Sequence, residues 1–162
     1  MTTPALPVTM SLGVDNNGIK TGDWKTDLFG CFDTLVPNAL MSIFLPCVTL
    51  SQIVVRLGFF QYVPSLIVTF AISVFFLIAG IVQGQWLNVI VLIISCFIAL
   101  ALCYLRVKVR SLFFIPGSLC EDCMVSFFCS CCSIAQIASH VESYTAGACS
   151  FEAKATLPGY KL

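Results

Sequence analysis

Two stretches of the chain are continuously apolar at lengths that match a bilayer. Ser65 to Val82 (SLIVTFAISVFFLIAGIV) and Leu87 to Leu105 (LNVIVLIISCFIALALCYL) hold 18 and 19 residues, each with twelve drawn from Leu, Ile, Val and Phe. At about 1.5 Å per residue they reach roughly 27 to 29 Å, close to a hydrocarbon core of about 30 Å. Their apolar side chains favour insertion by on the order of 5 kcal/mol per segment, well ahead of the cost of one Asn or a few Ser and Thr. The pattern predicts two membrane-spanning helices joined by the turn Gln83-Gly84-Gln85-Trp86, where glycine eases the bend and tryptophan suits the interface.

Two further apolar segments flank this hairpin. Leu35 to Val55 (LVPNALMSIFLPCVTLSQIVV) is uncharged, but Pro37, Asn38, Pro46 and Gln52 make it a costlier span. Met124 to Ser139 is too short, and too rich in Ser, Cys and Gln, to cross. Both read as helices at the membrane surface or half inserted, with Pro46 at a kink or a helix start. A third span at Leu35 to Val55 is the alternative. The expected fold is therefore an all-α membrane protein, a two-span helical hairpin flanked by two amphipathic or half-inserted Cys-containing helices. Residues 1–23 and 145–162, rich in small and turn-forming residues, read as flexible tails around a single domain over 24–144.

Composition supports the membrane assignment. The chain of 162 residues is 59% hydrophobic and 10% charged, with a mean hydropathy of +0.99, against roughly 25% charged residues in soluble domains. No Lys, Arg, Asp or Glu occurs in the 49 residues between Arg56 and Arg106. Arg56 precedes the first span, and Arg106, Lys108 and Arg110 follow the second, whereas the turn between them has no positive charge. By the positive-inside rule the turn faces away from the cytosol and both flanks face it. Met1 to Lys20 has neither the basic start nor the apolar run of a signal peptide. The basic residues serve topology and anionic headgroups and are too few for nucleic-acid binding.

The flanking segments also resemble each other at an offset of 84. FLPCVTLSQIV (Phe44 to Val54) aligns with FCSCCSIAQIA (Phe128 to Ala138) with four identities in eleven, including Gln52 over Gln136. Two spans between the copies return both to one membrane face, where they could pack as a pair through small residues. The matched glutamines would then bond across the pair or line a polar path, helix-to-helix contact being the simpler reading.

The chemistry-bearing residues concentrate in the second copy. CEDCMVSFFCSCCSIAQIASHV (Cys120 to Val141) holds five of the ten cysteines and the single histidine. Soft divalent ions such as zinc or cadmium take thiolate and imidazole ligands in small tetrahedral sets. Cys120 and Cys123 have a Cys-x-x-Cys spacing, and Cys129, Cys131 and Cys132 could complete a set. If Met124 onward is one helix, Cys129, Cys132, Gln136 and His140 share a face. Three other readings compete: thiols packed as small hydrophobes, palmitoylation sites, and a disulfide frame, which a cytosolic location disfavours. Cys96 and Cys103 read as packing residues within the second span, and Glu121 and Asp122 as solvated loop charges. No enzyme is expected: Cys132 and His140 would lie about 12 Å apart along one helix, and neither a phosphate-cradling loop nor a carboxylate pair is evident.

Trp24 with LFGCFD (Leu28 to Asp33), LPCVTLSQI (Leu45 to Ile53), RVKVR (Arg106 to Arg110) and IPGSLCEDCMVSFFCSCCSIAQIASHVE (Ile115 to Glu142) resemble, in order, the blocks of the cysteine-rich placenta-specific-8 family. That family includes plant cadmium-resistance proteins and cell-number regulators. The resemblance implies a small non-enzymatic membrane protein, often at the plasma membrane, linked to growth control or to transport and tolerance of divalent metals such as cadmium, zinc or calcium. Its expected partners are the lipid bilayer and either further copies of the chain or other membrane proteins. The family's amino-terminal Cys-Cys, four residues, Cys-Pro-Cys falls here on Ala39, Leu40, Leu45, Pro46 and Cys47, so three of four thiols are replaced by aliphatic residues. Any metal site would rest on Cys120, Cys123, Cys129, Cys131, Cys132 and His140.

Overall fold

The computed structural model describes residues 13–30, 38–82, 84–145, 147 and 149–159. The first part of the Leu35 to Val55 segment, Gln83 of the turn, and the two chain ends lie outside the described residues. Among the described residues six helices form: α1 (Leu40–Phe44), α2 (Pro46–Arg56), α3 (Tyr62–Val82), α4 (Gln85–Leu112), α5 (Leu119–Phe128) and α6 (Ser130–His140). Helices α3 and α4 are the two long and apolar enough to cross a membrane. Their side chains point outward: Ile67, Phe70 and Leu77 of α3 and Leu92, Phe97 and Leu100 of α4 are all exposed. Such a surface is stable only against lipid. The molecule is an all-helical membrane protein.

α4 is longer than the apolar run that marks it. At about 1.5 Å per residue its 28 residues extend some 42 Å, so the last two turns, with Arg106, Lys108 and Arg110, stand beyond a hydrocarbon core of about 30 Å. There they support a layer made of α1, α2, α5 and α6. α2 packs against both α3 and α6, and α5 packs against α4. The main core lies in this layer, with Ile53, Leu57, Val109, Phe113, Ile137, Ala138 and Val141 at its centre.

The repeat at offset 84 is structural as well as sequential. α2 occupies 46–56 and α6 occupies 130–140, the same positions shifted by 84. Each is preceded by a short helix and a break at one residue, Leu45 (φ −130°, ψ 54°) and Cys129 (φ −138°, ψ 58°). Pro46 starts α2 at its first position, where its missing N–H costs nothing. The far ends match too. Gly58 N donates to Val55 O and Phe59 N to Val54 O; Glu142 N and Ser143 N donate to Ser139 O and Ala138 O. Both are Schellman closures requiring a left-handed residue, which is Gly58 (φ 77°) in one copy and Glu142 (φ 51°) in the other.

Several expectations change here. The segment from Met124 is two helices rather than one, bent by 117° at Cys129. α1 and α2, with 5 and 11 residues, are each too short to cross. The described parts of both tails are packed. Residues 13–22 form a tight loop in which Asp15 Oδ1 accepts from Asn17 N and Ile19 N, burying Ile19, and Leu157 is buried through a bond from its N–H to Arg56 O. One large apolar side chain in each segment helps to hold it against the helical layer, an effect that its polar composition conceals.

Candidate functional site

The site is built where the second copy folds back on itself. Ser118 caps α5, accepting from Glu121 N at 3.2 Å, and Glu121 and Asp122 sit in the first turn where the helix dipole favours negative charge. Gly117 precedes the cap at φ 153°, and a Cβ there would collide with the guanidinium of Arg110, which donates to the carbonyls of Gly117 and Ser118. The break at Cys129 then turns the chain so that sulfurs on either side converge.

The ligand atoms of Cys129, Cys131 and Cys132 lie within 4.8 Å of one another. Cys129 and Cys132 have Cα atoms 5.3 Å apart and are joined as a disulfide, against the expectation of thiols kept reduced. The bend brings together two residues whose separation on a straight helix would not compel contact. In the disulfide state the trio offers a metal one thiolate, that of Cys131; reduction gives three. Three soft ligands suit zinc or cadmium with a fourth position open.

The other sequence candidates are not gathered here. Cys120 is exposed on α5, and Cys123 is half-buried beside Cys103 of α4. His140 lies at the opposite end of α6, fully buried between the rings of Trp24 and Phe113, whose centroids are 5.3 and 4.7 Å away. Its Nδ1 accepts from Lys25 N at 3.2 Å, so the neutral ring carries its proton on Nε2. Burial, with Lys25 and Lys20 nearby, pushes its pKa down to about 4. The shared face expected for Cys129, Cys132, Gln136 and His140 is therefore divided between a sulfur-rich end and an aromatic end.

Two features were missed in the sequence. Asp122, expected to be a solvated charge, is 1% exposed. It accepts from Arg106 Nε at 3.0 Å and pairs with Arg110 Nη1 at 2.9 Å, while the Arg106 guanidinium stacks 4.5 Å from the Trp24 ring centroid. The spacing of Arg106 and Arg110, one turn apart on a helix, was the available signal. The second feature concerns the matched glutamines, which do not bond to each other. Gln52 Nε2 donates to the carbonyls of Ser150 and Glu152 at 2.8 and 3.1 Å, and Gln136 Nε2 donates to Thr26 O at 3.0 Å. Each copy thus grips the backbone of one non-helical segment. Arg56 and Tyr62 extend the grip on 151–157 through the carbonyls of Ala155 and Phe151.

Comparison with known proteins places this architecture. The model of the PLAC8 family matches residues 24–140. The chain belongs to the PLAC8 family. The match begins at Trp24 and ends at His140, the two rings that meet in the core, so it encloses the whole layer and both spans. Among curated relatives, "Cell number regulator 4" of Zea mays is 27% identical over 117 residues, covering 72% of this chain and 65% of the relative. This chain thus spans less than two thirds of that relative's length. No solved structure matches it.

Proposed function

We propose that this PLAC8-family chain is a non-enzymatic integral membrane protein acting as a regulatory scaffold in the control of cell growth, at the plasma membrane and with its helical layer toward the cytosol. One observation carries the reading: both copies of the duplicated unit hold a non-helical segment through a buried glutamine that donates to main-chain carbonyls. A platform that grips backbone rather than side chains suits partners or tails of varied sequence. The name of the maize relative supports the growth-control part, and Arg56, Arg106, Lys108 and Arg110 at one end of the spans support the orientation. Further copies of the chain or other membrane proteins are its expected associates.

Proximity labelling from a carboxy-terminal tag tests the scaffold. The wild type should recover a reproducible set of partners that a Gln52→Leu, Gln136→Leu double variant loses; the same set from both refutes it. An impermeant thiol reagent outside intact cells should leave Cys120, exposed on the layer, unlabelled.

The convergence of Cys129, Cys131 and Cys132 favours a second reading, handling of cadmium, zinc or another divalent ion by an oligomer. Elemental analysis of reduced, purified protein distinguishes the two. Metal present in the wild type and lost when Cys120, Cys123, Cys129 and Cys132 become Ser supports the second reading, and equal content in both refutes it.

A further inference from the structure

Near the basic end of the molecule a gap lies between α3 and α4, lined on one side by α2. The result is a pocket of about 530 Å³, within the roughly 300–1,000 Å³ of small-molecule sites. Val68 and Ile72 of α3, Ile98 and Ala101 of α4 and Leu50 of α2 line it, with Phe60 at the α2–α3 corner. Its walls are almost wholly apolar. Two of the hydroxyls that reach it are engaged elsewhere: Thr69 Oγ1 donates to Cys47 O and lies 3.1 Å from Ser51 Oγ, and Ser65 Oγ donates to Ser51 Oγ. The third belongs to Tyr104, which is exposed, so the remaining walls offer little to orient a polar ligand and suit a hydrocarbon chain.

Depth and charge name the hydrocarbon. Trp86 and Tyr104, eighteen residues apart on α4, are separated by about 27 Å and mark the two interfaces. The pocket runs from Tyr104 to Ile98 on α4, about 9 Å into the leaflet on the Arg106 side. Ile98, Ala101, Leu105 and Lys108 follow at steps of three and four, one stripe of the helix. The stripe therefore passes from the pocket floor to a cation at its mouth. Lys108 Nζ stands 5.6 Å from the Tyr104 ring centroid, and among the described residues no carboxylate pairs with it. Arg106 and Arg110, by contrast, are both occupied by Asp122.

We propose that this pocket holds one acyl chain of an anionic phospholipid from the leaflet on the Arg106 side, with its net-negative headgroup at Lys108. The site is open to the bilayer, so the lipid enters laterally without crossing water.

Native mass spectrometry of the full chain, released from nanodiscs of mixed phosphatidylserine and phosphatidylcholine, measures the lipid retained. The wild type should retain phosphatidylserine over phosphatidylcholine by roughly fivefold, the effect of one lysine near an anionic surface. Lys108→Gln should abolish that preference while still retaining lipid. Ala101→Trp, which fills the pocket from an exposed position, should lose both lipids, whereas Leu92→Trp on the outer face of α4 should lose neither. Unchanged retention in Ala101→Trp overturns the proposal, as does an unchanged preference in Lys108→Gln. Retention of a sterol or a copurified peptide in place of phospholipid overturns it too. Helical content by circular dichroism confirms that each variant is folded.

Discussion

Acidification should loosen the layer at His140. The ring is fully buried, its pKa is pushed down to about 4 by burial and by Lys25 and Lys20, and Asp15 and Asp23 only partly oppose them. In the unfolded chain it would titrate near 6.5. Between those values the unfolded state binds the proton and the folded state does not. The stabilisation is therefore complete above about pH 6.5 and is lost as pH falls toward 4. A gap of about 2.5 units at 1.36 kcal/mol each gives about 3 kcal/mol at most, a large part of a marginal stability of about 5–15 kcal/mol. Asp23, held below its usual range by Lys20, loses its contribution only below 3.8, outside this window. Thermal unfolding in detergent, followed by fluorescence, reads the effect. Trp24 touches His140, and in a Trp86→Phe background it is the sole tryptophan reporter. The melting temperature should fall steadily through the window. A His140→Gln variant should melt lower at pH 7 but with a shallower pH profile. Equal pH slopes in both proteins would refute the reasoning.

Three further outcomes follow from the same packing. Asp122→Ala strands Arg106, itself 3% exposed, and should cost about 3–5 kcal/mol; Asp122→Asn should cost less, both read by thermal unfolding in detergent. Gly58→Ala places a Cβ at φ 77° and should destabilise by about 1 kcal/mol, whereas Glu142→Gly at the matched position relieves a similar strain and should not destabilise; the same melts check the pair. Gln52→Leu should speed tryptic cleavage at Lys154 by releasing 149–157, and Gln136→Leu should leave that rate unchanged, as read by limited proteolysis.

The spans were legible because lipid imposes a simple rule: every residue of a long run must be apolar, and chain length fixes the rest. The offset of 84 was legible as well, down to Gln52 and Gln136. What the glutamines contact was not, since their acceptors are main-chain carbonyls, which leave no mark on the sequence. Asp122 was misread for a related reason: a carboxylate beside Glu121 after a Pro-Gly turn looks solvated until Arg106 and Arg110 are seen to reach it. The sulfurs of Cys129, Cys131 and Cys132 converge, whereas extending the group to His140 assumed a straight helix. Nothing in FFCSCC announces a bend; the hint was Leu45-Pro46 at the equivalent place in the first copy, where proline makes the break visible.

The grip on main-chain carbonyls by Gln52 and Gln136 has an evolutionary consequence. A carbonyl is common to every residue, so the segments around Thr26 and Ser150 can drift in sequence without losing their anchor, provided that a residue such as Leu157 still fills its hole. Divergence among relatives should accordingly concentrate in those segments while the two glutamines stay fixed.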